Sequence, residues 1–202
     1  MTGRLATVVL LLLSASPAAP AAARNDDVGL ANRAGNTRRV RGESYDVDGL
    51  SATEIRRDLD RRGPLSAGKR FDARTEWKVH WWFDLERVPG GCRATRVRVD
   101  LEVVVLLPRW RQPADASAEL VRRWQGYLTA LREHEDGHSA IGTSAADEIQ
   151  AALSDQPLGA SCALAEQRAN RTGHDIVARH NRRDEQYDRD TRHGATQGAR
   201  FP

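Results

Sequence analysis

His134-Glu135-Asp136-Gly137-His138 is a stretch whose residue types and spacing specify a chemistry. Two histidines four residues apart on an α-helix differ by about 40° in direction and about 6 Å along the axis, so both imidazoles reach one metal ion. Glu135 falls on an adjoining face of the same turn. A carboxylate there takes a proton from a metal-activated water and hands it to a leaving amine. With 6 histidines in 202 residues, roughly 0.01 such matches arise by chance, so the pattern carries information. It points to zinc-dependent hydrolysis, with His134 and His138 as metal ligands and Glu135 as general base.

A catalytic zinc site takes three protein ligands and keeps a fourth position open, so the chain owes one more donor. Asp147 and Glu148 follow His138 on the same helical run. On an unbroken helix both stand more than about 13 Å along the axis, out of reach unless the helix breaks near Gly142. His174 and His180 are six residues apart, on opposite faces of a polar helical segment. His193 lies in the run Tyr187-Asp188-Arg189-Asp190-Thr191-Arg192-His193-Gly194, whose apolar content is too low for a core segment. His193 is the expected third ligand and Asp188 the next choice. Tyr187 is a candidate hydrogen-bond donor to the oxyanion formed during attack, with structural packing as the alternative. His80 alternates with apolar neighbours and is expected on the polar face of a strand; Trp77, Trp81 and Trp124 are expected in the core.

Several elements must position these residues. Trp77, Val79, Trp81, Phe83 and Leu85 alternate with polar residues, as do Val97, Val99, Leu101, Val103 and Val105, and Pro89-Gly90-Gly91-Cys92 supplies a turn between them. The product is an antiparallel hairpin. Ser51 with Glu54 forms a capping box for a helix that Gly63-Pro64 ends. Past Pro113 the spacing becomes helical from Leu120 to Leu153, in one long helix or in two broken near Gly137 or Gly142. A third, charged helix spans roughly Ala163 to Gln186, and the remainder reads as loop.

Met1 to Ala23 has the marks of a secretory signal peptide: Arg4, the apolar run Leu5 to Leu13 and small residues ending at Ala23. Residues 24–42 are polar and aperiodic and read as a flexible lead-in, leaving 43–202 as one domain. No later stretch has the apolar length of a membrane span. Export to an oxidising compartment, extracellular or periplasmic, favours a disulfide between Cys92 and Cys162. The net charge of +3 arises from 31 basic and 28 acidic residues. The arginines after Cys162 are interleaved with acids, and no recognition motif is present, so nucleic acid is not an expected partner.

The Trp-rich strand followed by Leu107-Pro108-Arg109-Trp110, the HEDGH helix, a downstream cysteine and the terminal YDRDTRHG together resemble a bacterial family described as predicted secreted zinc-dependent proteases, also catalogued as a domain of unknown function. The resemblance covers about Ser44 to Gly194. It implies His134 and His138 as ligands, Glu135 as general base and a functional role for Tyr187 to Gly194. The expectation is therefore an α+β, zincin-like fold in which an antiparallel Trp-rich sheet packs beside the helix that bears HExxH. Its activity would be that of a secreted zinc metallopeptidase acting on peptide or protein substrates, in the cell envelope among other places. Two alternatives are a non-catalytic envelope protein with a closed, four-ligand structural zinc and a zinc amidase acting on cell-wall peptides.

Overall fold

Strong period-two alternation builds the centre of the molecule, a long hairpin of β5 (Arg74–Val88) and β6 (Gly91–Trp110). It is antiparallel as expected, with Thr75 opposite Val105 and Trp81 opposite Val99 and a register shift between Trp82 and Asp84. The computed structural model describes residues 26–31, 35–154 and 157–202; the expected signal peptide, 1–23, lies outside them. Val97, Val99, Leu101 and Val103 point inward and are buried, while Arg96, Arg98 and Glu102 point outward and are exposed. One face of the sheet thus makes a core and the other meets solvent.

The sheet is mixed, not purely antiparallel. β1 (Asp26–Ala31) pairs antiparallel with β2 (Thr37–Val47), and β2 pairs parallel with β6, Val40 opposite Val103 and Val47 opposite Trp110. The order is β1-β2-β6-β5, with β7 (Pro157–Gly159) pairing antiparallel with the start of β6. The chain between β2 and β6 is long enough to allow a parallel pairing, whereas a tight turn forces an antiparallel one. Residues 24–42, expected to be a flexible lead-in, therefore contribute strand from both β1 and β2. The exposed positions of β2 carry Arg39 and Arg41, and that polarity hides its alternation.

Three helices complete an α+β architecture. α1 (Ala52–Arg62) starts as its capping box predicts, with the Ser51 hydroxyl accepting from the Glu54 amide and the Glu54 carboxylate accepting from the Leu50 amide. A two-stranded hairpin of β3 (Leu65–Ser66) and β4 (Lys69–Arg70) follows it. α2 (Ala118–Ser154) is a single helix of 37 residues, unbroken at either glycine. Each glycine makes room for a ring: a methyl at Gly142 would come within 2.7 Å of Trp77, and one at Gly137 would overlap the Tyr187 hydroxyl. Close packing of these rings outweighs the roughly 1 kcal/mol that each interior glycine costs.

α3 (Cys162–Thr191) runs past the expected end at Gln186, so Tyr187 to Thr191 is helix rather than loop. Ser161 caps its start and Arg192 ends it in the left-handed conformation. The Cys92–Cys162 disulfide forms as expected, with the Cα atoms 5.0 Å apart, and ties the start of β6 to the start of α3. Closing a loop of 70 residues is worth on the order of 4 kcal/mol in the chain-entropy model. Among the described residues no helix is long and apolar enough to cross a membrane.

Two hydrophobic clusters lie along α2. Toward its C-terminal end Ala146, Ile149 and Leu153 pack with Trp81, Val99, Leu101 and Val103 of the sheet and with Ala165, Ala169 and Ile176 of α3. Toward its N-terminal end Leu120, Trp124, Tyr127 and Leu131 pack with Val47, Ile55, Leu59, Trp110 and Phe201. The HEDGH turn falls between the two.

Candidate metal centre

In the middle of α2, His134 and His138 stack one turn apart on the face that meets α3, and both are buried. Their Nε2 atoms are 3.2 Å apart. One Oδ1 atom of Asp188, from the last turn of α3, lies 3.2 Å from each of them. The three donors form a nearly equilateral triangle. A tetrahedral ion about 2.0–2.1 Å from its ligands separates them by roughly 3.3 Å, so the triangle has the dimensions of one face of such a site.

The outer nitrogens explain why the inner ones converge. His138 Nδ1 meets Asp184 Oδ1 at 2.8 Å, and His134 Nδ1 meets Gln197 Oε1 at 3.0 Å. Both partners are acceptors, so each ring is able to hold a proton on Nδ1, which leaves Nε2 as the atom that would serve a metal. Three such donors converging on one point are held together by a cation or by shared protons. With no metal bound, burial pulls the His138 imidazolium down, but Asp184 and Asp188 override it and hold its pKa up at about 10. Burial works against the Asp188 carboxylate in turn, and its hydrogen bonds from His134 and His138 keep it well below the usual carboxylate range. Two imidazoles and a carboxylate suit zinc and other first-row divalent ions.

The two helices hold the rings from the side as well. Tyr187 stacks on His134 with the ring centroids 5.0 Å apart and the planes 14° apart, and it meets His138 edge-on at 5.1 Å. Its hydroxyl accepts from Gln197 Nε2 at 3.0 Å. Tyr187 lines a cavity of about 290 Å³ between α2 and α3 and is absent from the lining of the cleft onto which the metal ligands open. Of the two expectations for Tyr187, this packing against both imidazoles matches the structural one.

His193, the expected third ligand, lies at the edge of the site. It is not among the three residues that group as ligands, which are His134, His138 and Asp188. Its Nδ1 approaches Asp188 Oδ1 at 3.2 Å, its ring rests on Phe71 with the centroids 4.9 Å apart, and its side chain is 53% exposed. It braces the carboxylate from the solvent side. The reason is helical phase: Asp184 and Asp188 are one turn apart on α3 and face α2, whereas His193 lies beyond the end of the helix. His180 is buried against Glu148 on α2, with Nε2 to Oε2 at 2.8 Å, and His174 meets the edge of Trp81. His80 lies beside Trp82 on the outer face of the sheet.

A cleft of about 560 Å³ opens over His134, Glu135, His138 and Asp188 and is lined as well by Phe71, Thr75, Arg192 and His193. Glu135 is 4% exposed, and the Thr75 hydroxyl donates to its Oε2 at 2.7 Å. Burial pushes the Glu135 carboxyl up, while Thr75 and the charges on His138 and His134 draw it partly back.

Residues 43–194 match the family model described as "Bacterial protein of unknown function (DUF922)". The chain belongs to DUF922. The part of this DUF922 protein that matches includes all three candidate ligands together with Glu135, Thr75 and Asp184, and it stops short of Gln197 and Phe201. No curated protein and no solved structure matches it. Asp184, Gln197 and Thr75 escaped the reading of the sequence. Asp184 had a signal, since it precedes Asp188 by one helical turn; Thr75 and Gln197 reach the site through tertiary packing alone.

Proposed function

We propose that this DUF922 protein is a zincin-like, zinc-dependent metallopeptidase of the extracellular or periplasmic space that hydrolyses peptide bonds with Glu135 as general base. The observation that carries this reading is the triangle of His134, His138 and Asp188 donors facing a cleft that also holds a buried carboxylate. Three donors leave a coordination position free for water or substrate, unlike a closed four-ligand structural site. Bound there, zinc supplies Lewis acidity toward water and toward a carbonyl oxygen.

The remaining work falls to the chain. Asp184 and Gln197 fix the tautomers of the two histidines, and Tyr187 prevents the rings from turning. The Thr75 hydroxyl orients the Glu135 carboxylate toward the cleft. Glu135 takes a proton from the attacking water and returns it to the leaving nitrogen. Helix and sheet packing holds these groups in place before substrate arrives, which is where most of the rate gain in such sites originates. The disulfide agrees with an oxidising compartment.

The test is metal analysis of the purified protein, paired with cleavage of a mixed peptide library by wild type and by Glu135→Gln. Zinc is expected in both and cleavage in wild type alone. A wild type without zinc, or a variant that cleaves as fast as wild type, refutes the mechanism.

A further inference from the structure

The charges that line the cleft do not all pair within the protein. Asp72 is taken by Arg56, with Nη1 and Nη2 at 2.8 and 2.5 Å, and Glu76 by Arg74 at 3.2 Å. Asp184 and Asp188 are committed to the histidines, and Glu135 to Thr75. Three guanidinium groups remain. Arg70, on β4, donates to the Gly63 carbonyl and meets no carboxylate among the described residues. Arg192 and Arg200, on the segment after α3, have no ion-pair partner among the described residues. The five arginines and five carboxylates that line the cleft balance in formal charge, and a divalent ion at the two histidines would leave it positive.

The backbone holds two of these arginines in place. Arg192 and His193 follow one another in the left-handed region, with φ of 51° and 52°, a conformation that costs non-glycine residues energy and recurs where function needs it. Arg200 stands between Ala199 and Phe201, both buried, so its side chain is directed out of the core and toward the cleft. Guanidinium groups recognise carboxylates through two parallel hydrogen bonds, and a cleft with unpaired positive charge concentrates anionic ligands.

We propose that the cleft selects acidic peptides, whose carboxylates are bound by Arg70, Arg192 and Arg200; this specificity rests on the peptidase reading of the same site. The probe is a short fluorescent peptide alternating Ala and Glu, compared with the same peptide carrying Gln in place of every Glu. Binding is measured by anisotropy to zinc-loaded Glu135→Gln protein, which does not consume the probe. The Glu peptide is expected to bind at least about tenfold more tightly at low salt, with an advantage that shrinks as salt rises. In Arg70→Gln/Arg192→Asn/Arg200→Gln with unchanged zinc content, the advantage is expected to fall below about threefold. Each single variant, at an exposed position, is expected to lose part of it, which keeps the measurement decisive if the triple variant loses zinc. Equal binding of the two peptides, or an advantage that survives the substitutions, overturns the proposal. Cleavage by the wild type separates the two levels. Arginine-dependent binding without cleavage of either peptide supports the charge selection and defeats the peptidase reading. Cleavage without preference defeats the charge selection alone.

Discussion

Removing the Asp188 carboxylate distinguishes the arrangement described here from the one in which His193 is the ligand. Asp188→Ala deletes one of three donors, each 3.2 Å from its neighbours. Structural zinc sites with four ligands bind with about 10–16 kcal/mol, or roughly 2.5–4 kcal/mol per donor, so the loss corresponds to roughly two to three decades in zinc affinity. His193→Ala removes a single contact to Asp188 from a side chain that is 53% exposed. As a largely exposed outer partner of the metal centre it is expected to cost about tenfold, the low end of the range for such partners. The assay is competition with a chromophoric chelator at fixed pH, with circular dichroism to confirm that each variant is folded. The refuting result is the reverse order, with His193→Ala stripping the zinc and Asp188→Ala binding it as wild type does.

Gly137→Ala is expected to destabilise the protein by about 1–3 kcal/mol, because the new methyl meets the Tyr187 hydroxyl. In a Tyr187→Ala background the same change should become neutral or stabilising by up to about 1 kcal/mol, as alanine favours helix, and a double-mutant cycle in urea reads the reversal. The pKa of His138 in the metal-free protein, held up at about 10 against about 6.5 in an unfolded chain, has a consequence for stability. Its contribution is fully present below about pH 6.5 and is lost as pH rises through about 10. Melting of the metal-free protein should therefore move to lower temperature over that interval, and the slope should flatten in Asp184→Asn; an equal slope in both proteins contradicts the assignment. Reduction of the Cys92–Cys162 bridge, or its double replacement by serine, is expected to cost about 2–5 kcal/mol, measured by chemical denaturation.

Local periodicity made much of the molecule legible. The alternation in β5 and β6, the capping box of α1 and the HExxH spacing each follow from residues within one element, and each appears where the pattern places it. The disulfide followed from compartment and count. The parallel pairing of β2 was hidden because strand direction depends on a partner more than fifty residues away, and because Arg39 and Arg41 occupy its outward positions. The end of α3 was misplaced for a related reason. The face it turns toward α2 carries Asp184, Tyr187, Asp188 and Thr191, polar residues that surround the two histidines of the candidate metal centre instead of a hydrophobic core. A test for apolar periodicity reads such a face as loop. The choice of donor turns on the same point, since in a loop His193 is the more attractive donor, whereas helical phase brings Asp188 to the two histidines.

The HEDGH turn lies between two hydrophobic clusters strung along the same helix, one tied by the disulfide and built mostly of aliphatic residues around Trp81, the other rich in aromatic rings. Where polar residues separate two cores, each is able to open as its own unit, and what joins them governs whether the chain melts in one step. A metal drawn to the native arrangement stabilises it by mass action at this joint, where α2 and the end of α3 meet. Occupancy then sets cooperativity as well as chemistry. The metal-loaded protein is expected to exchange its amide protons as one folding unit, and the metal-free protein to exchange them from its two ends at two different rates.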